Sequence, residues 1–137
     1  MISYLVIHCV KNMSNLQKYS DIIHPDGYLQ QVNGHFGIID DPWATDLLGN
    51  IVHVAYIGGY NDKNLPENTL TCTQYDSLEA YISYNILRNP SIKVLGYNEL
   101  SDSTSPSFNV QEFVKDIPVA KSKNKYNGKK LYSSEKK

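Results

Sequence analysis

Apolar and polar positions divide the chain into a few strongly patterned segments separated by turn-forming residues. Ser3 to Cys9 (Ser-Tyr-Leu-Val-Ile-His-Cys) is a β-branched apolar run that ends on His8, the pattern of a strand covered on both faces. Met13, Leu16, Tyr19, Ile22 and Ile23 recur at helical spacing, so Met13 to Ile23 is predicted as a short amphipathic helix, capped by Ser14 or Asn15 and ended by Pro25-Asp26-Gly27. Tyr28 to Asn33 is predicted as loop, and His35 to Ile39 as a second buried strand stopped by Asp40, Asp41 and Pro42. After the connection Trp43 to Asn50, Ile51 to Gly59 is the most strand-like segment and is placed in the middle of a sheet. Thr71 and Gln74 form a capping box ahead of Tyr75, Leu78, Tyr81, Ile82 and Leu87, which predicts a long helix ended by Asn89-Pro90. Ile92 to Leu95 is a last short strand, and Phe108 to Val114 a final turn of helix. This order predicts an α/β fold: a central mixed β-sheet flanked by helices, on both faces.

Composition narrows the picture in three ways. The 137 residues suit one domain, and 41% hydrophobic content is enough to bury a core. From Pro118 the aliphatics give way to Lys, Ser, Asn and Gly, with seven lysines, so residues 1–117 are read as the domain and 118–137 as a basic, flexible tail. A net charge of -1 argues against nucleic acid as the default partner, and no apolar run is long enough to span a bilayer. Cys9 and Cys72 stand in no metal-type spacing and no signal segment opens the chain, which suggests a reduced, cytoplasmic setting. A histidine at the carboxyl end of a buried strand sits where open α/β sheets hold their chemistry, and this makes His8 the first candidate functional residue. His53 lies on one face of the central segment with Ile51, Ala55 and Ile57, within reach of His8 if the two strands are neighbours.

These segments together resemble the N-acetylmuramoyl-L-alanine amidases, the zinc-dependent group that includes small phage amidase lysozymes and the animal peptidoglycan recognition proteins. The residues that carry the resemblance are Val6-Ile7-His8-Cys9, Gly34-His35-Phe36 with Ile38-Ile39, and Val54-Ala55-Tyr56-Ile57-Gly58-Gly59. Thr71, Gln74, Ser77 and Leu78 follow, then Leu95-Gly96, Glu99-Leu100 and Ser105-Pro106-Ser107-Phe108. They run in the family's order over residues 3 to about 115. The resemblance implies an amidase-type α/β fold and a zinc ligand at His8. Its other ligand positions carry different residues. The loop Asp40 to Asn50, before the central strand, holds no histidine; Tyr97 stands where a Gly-His-Arg-Asp-Leu-like motif has its histidine; Ser105 stands where a cysteine or acidic residue precedes the proline. Gly34 takes the place of the family's catalytic tyrosine, and Ser103 that of a basic or polar residue two positions before the last ligand.

Catalytic zinc needs about three His, Cys or carboxylate ligands around a metal-bound water. The chain therefore reads as an inactive amidase homologue, expected to bind no metal and to act as a binding protein. The expected cleft is rimmed by His8, His35, His53, Tyr56, Tyr60, Tyr97 and Asn98. The resemblance suggests a muropeptide-like ligand. A bacterial protein partner is the second expectation, because small phage amidases as a class also bind and restrain a polymerase; the chain would then be a phage product inhibiting a host system. The competing expectation is an active zinc amidase with a relocated site built on His8 and His53, with Glu99 or Asp102 from the final loop.

Overall fold

The computed structural model describes residues 2–13, 16–33, 43, 45–128 and 130. Its strands are β1 (Ile2–Val10), β2 (Asp21–Ile23), β3 (Leu29–Gln31), β4 (Asn50–Ile57) and β5 (Lys93–Gly96). They form one mixed sheet in the order β3-β2-β4-β1-β5. β1, β2, β4 and β5 run parallel and β3 is antiparallel to β2. The near-continuous apolar runs in β1 and β4 follow from this position, since the inner strands are buried on both faces.

Helix α1 (Cys72–Arg88) starts at the predicted capping box: Thr71 Oγ1 accepts from Gln74 N and Gln74 Oε1 accepts from Thr71 N, each at 3.0 Å. Gln74 Nε2 also donates to Ile57 O at 2.9 Å, which ties the helix start to the end of β4. Leu78, Ile82 and Ile86 of α1 and Val110, Phe113 and Val114 of α2 (Val110–Lys115) pack on the face formed by Leu5, Ile7, Val52, Val54 and Val94. Among the described residues both α-helices thus cover the same face. The expectation of helices on both faces is corrected to this extent: among the described residues, the opposite face is covered by Leu16, Tyr19, Trp43, Leu47, Tyr97 and Tyr126, from turns and connections.

The predicted helix Met13 to Ile23 is a short 3₁₀ turn, Leu16–Lys18, followed by strand β2. The buried Asp21 explains the difference, because Tyr81 of α1 donates its hydroxyl to Asp21 Oδ2 at 2.5 Å. An anchored aspartate between β-branched neighbours sends Ile22 to one face and Ile23 to the other, which suits a strand. The predicted loop Tyr28 to Asn33 contains the edge strand β3. The predicted strand His35 to Ile39 lies outside the described residues.

Residues 118–128 do not form the free tail expected from their composition. A 3₁₀ turn, Ser122–Asn124, lays Lys125 beside Val94 in a parallel bridge on the edge of β5. Asn124 is buried, donates to Pro90 O at 2.9 Å and Ile92 O at 2.8 Å, and accepts from Lys121 N at 2.9 Å. Three backbone groups therefore depend on one amide. Asn124→Leu is expected to cost about 2–3 kcal/mol, because it leaves buried carbonyls unsatisfied, and a lowered urea midpoint with an unchanged slope would register it.

Candidate functional site

The four parallel strands end on the same side of the sheet, and β1 brings His8 to that end. Side-chain alternation puts His8 on the face away from the helices and Cys9 on the helix face. β4 is the parallel neighbour of β1, with Val6 opposite His53 and His8 opposite Ala55, so His53 lies on the same face as His8 and the rings meet. His8 Nε2 and His53 Nδ1 are 2.9 Å apart, a hydrogen bond in which one imidazole donates and the other accepts. Both are buried, at 1% and 0% exposure, so they lie beneath the surface and do not form the rim of an open cleft. Burial, and next the adjacent His53, hold the His8 imidazole well below its ordinary range.

Three more rings close over the pair. Trp43 stacks on His8 with centroids 4.4 Å apart and planes at 27°, and Tyr97 at 5.0 Å and 30°. Tyr19 meets His8 edge-on at 5.3 Å. Trp43 and Tyr97 are themselves 5.1 Å apart, and the Lys18 ammonium lies 5.1 Å above the Trp43 ring. The result is a packed aromatic box around a hydrogen-bonded imidazole pair.

The segment after β5 is held to both central strands. Cys9 N donates to Ser105 Oγ at 2.9 Å, Tyr56 hydroxyl donates to Pro106 O at 2.7 Å, and Ser107 Oγ donates to Gly59 O at 2.8 Å. Gly59 has φ of +89° and a Cβ there would strike Cys9 Sγ, so only glycine fits this close approach. Asn98 N donates to Ser105 O at 2.7 Å, which closes the segment on itself. Beside it runs a polar groove of about 610 Å³, lined among others by Asn98, Glu99, Ser103, Thr104, Ser107 and Phe108.

No protein-family model and no curated protein matches this chain. Solved structures do. An endolysin N-acetylmuramoyl-L-alanine amidase from Clostridium intestinale superposes with a TM-score of 0.65 at 17% identity, over 87% of this chain and 85% of that one. Drosophila PGRP-LB gives 0.63 at 17% identity over 88% and 83%, and bumblebee PGRP-SA gives 0.60 at 16% over 91% and 84%. The fold is the amidase fold. The same architecture thus serves named amidases and peptidoglycan recognition proteins.

On this amidase fold His8 stands at the position that the resemblance gives to a first zinc ligand, and among the described residues no three metal-type donors gather around it. Its Nε2 is engaged by His53, the Tyr97 ring stacks where a further imidazole was implied, and Ser105 Oγ is taken by the Cys9 N–H. Glu99 and Asp102 stay apart from it: the Glu99 carboxylate accepts from Gly96 N and Gln111 Nε2, and Asp102 Oδ1 lies 3.9 Å from Lys130 Nζ. Among the described residues no group of three His, Cys, Asp or Glu side chains could hold a metal ion.

Of the seven residues expected to rim one cleft, His8, His53 and Tyr97 come together. Asn98 braces the neighbouring groove. Tyr56 is buried on the helix face, and Tyr60 lies near Cys9 with the Lys11 ammonium 4.7 Å above its ring. His35 lies outside the described residues. Burial pushes the Cys9 thiol up from its ordinary range, as expected of a packed thiol and opposite to an activated nucleophile. Sequence reasoning missed Trp43 and Tyr19. Trp43 is the chain's single tryptophan, and a lone large ring in a polar connection was the available signal.

Proposed function

We propose that this chain is a catalytically inactive homologue of the amidases that binds a peptidoglycan-fragment-like ligand without metal. The observation that carries the reading is the His8–His53 hydrogen bond inside its aromatic box. It engages Nε2 of His8 inside a packed set of rings, and among the described residues no three metal-type donors stand together to hold the Lewis acid that the hydrolytic step needs. The polar groove beside Asn98, with hydroxyl and amide groups above a fixed backbone, is a surface suited to a glycan or peptide stem. The solved complex of a Drosophila PGRP-LB mutant with tracheal cytotoxin supports this choice of ligand class.

Co-sedimentation with insoluble peptidoglycan, run beside an assay for released stem peptide with and without added zinc, tests it. The expected result is binding with no release in either condition. Release that requires zinc and disappears in His8→Ala would replace this reading with that of an active amidase whose site is relocated. Absence of both binding and release would favour a protein partner.

A further inference from the structure

The groove contains a carboxylate for which the proposed binding role, as stated so far, has no specific use. Glu99 is half-buried and lines the groove together with the Phe108 ring. Two neutral donors, Gly96 N and Gln111 Nε2, reach it, and because Gln111 Nε2 also donates to Val94 O at 2.9 Å it shares one hydrogen between the two carboxylate oxygens. Gly96 N donates to Oε2 at 2.8 Å, and Gln111 Nε2 lies 3.1 Å from each oxygen. Among the described residues no lysine, arginine or histidine pairs with it. Lys130, which also lines the groove, is exposed and lies 3.9 Å from Asp102. Burial holds the Glu99 carboxyl above its ordinary range against the opposing hydrogen bonds from Gly96 and Gln111. A half-buried carboxylate with two neutral donors and an aromatic ring in the same groove has, among the described residues, no cation paired with it.

We propose that the groove beside Glu99 and Phe108 recognises a primary ammonium group on its ligand. A point donor is favoured over a guanidinium, because Gln111 already spans both carboxylate oxygens and leaves no bidentate approach. An anionic group is disfavoured by Glu99 itself. The inference rests on the binding reading above for placing a ligand in this groove, and adds the chemistry that selects it. Glu99 also fastens the turn Tyr97–Glu99 to α2 through Gln111, and a purely structural role would end there.

A matched pair of capped dipeptides separates the two roles. Acetyl-glycyl-lysine amide carries the ammonium and acetyl-glycyl-norleucine amide replaces it with a methyl group. In an amide NMR titration of the full chain, the lysine peptide is expected to shift Gly96, Asn98, Glu99 and Gln111 saturably. The norleucine peptide is expected to bind at least about tenfold more weakly, as loss of a charge-assisted contact implies. Glu99→Gln, which keeps an acceptor for Gly96, is expected to remove the preference. Equal shifts from both peptides, or shifts away from this groove, would overturn the proposal even if Glu99→Gln fails to fold. A muropeptide bound equally by the native chain and Glu99→Gln would leave the binding reading standing and overturn this one.

Discussion

A chain carrying Tyr97→His together with Ser105→Cys is expected to retain about one zinc ion per molecule after exhaustive dialysis, where the native chain retains none. The prediction follows from where these side chains stand. The Tyr97 ring is 5.0 Å from His8, so an imidazole on the same backbone occupies the same side of it. Ser105 Oγ is fixed on the Cys9 N–H at 2.9 Å, and a thiolate there projects from a segment already anchored by Tyr56 and Ser107. With His8 the set becomes two imidazoles and one thiolate, a donor set that zinc favours. The ion must still draw His8 Nε2 away from His53, and the gain of two ligands outweighs the one neutral hydrogen bond lost, worth about 1 kcal/mol. Elemental analysis of the dialysed protein reads the outcome. A metal-free double variant with an intact fold would mean that the aromatic box holds His8 out of a ligand geometry.

That prediction also marks how far the sequence could be read. β1, β4 and α1 were legible because each carries a signal that survives without tertiary context: two long β-branched runs and a capping box with both hydrogen bonds made. The fold class followed from their order. β2 was misread because three of its neighbours fall at helical spacing by coincidence, while the deciding interaction, Tyr81 with Asp21, spans 60 residues. The segment 118–128 was misread because composition reports solubility and says nothing of a single asparagine that satisfies three backbone groups. At the site, the approach of His53 to His8 followed from strand alternation once the two strands were neighbours. The box was not legible. Tyr19, Trp43 and Tyr97 come from three separate connections, and nothing local specifies that their rings converge.

The box should also make the protein acid-sensitive, and the sign follows from linkage. His8 has a folded pKa well below its ordinary value of 6.5, so below pH 6.5 the unfolded chain binds a proton that the folded chain refuses. Stability is fully present above that value and is lost as pH falls, at a rate approaching about 1.4 kcal/mol per pH unit until the folded pKa is reached. Glu99 opposes this. Its folded pKa is raised above 4.5, so the folded chain holds its proton more firmly and gains stability as pH falls through that range. His8 dominates at the start because its window opens near neutrality. Trp43, in contact with His8 and the chain's single tryptophan, is a built-in reporter. The urea midpoint followed by its fluorescence is expected to fall between about pH 7.5 and about pH 5, as the His8 linkage requires. The double replacement His8→Phe with His53→Leu, which removes both imidazoles from the box, is expected to flatten that dependence. A native midpoint that holds or rises on acidification would show that His8 accepts its proton in place, and that the box is open to water.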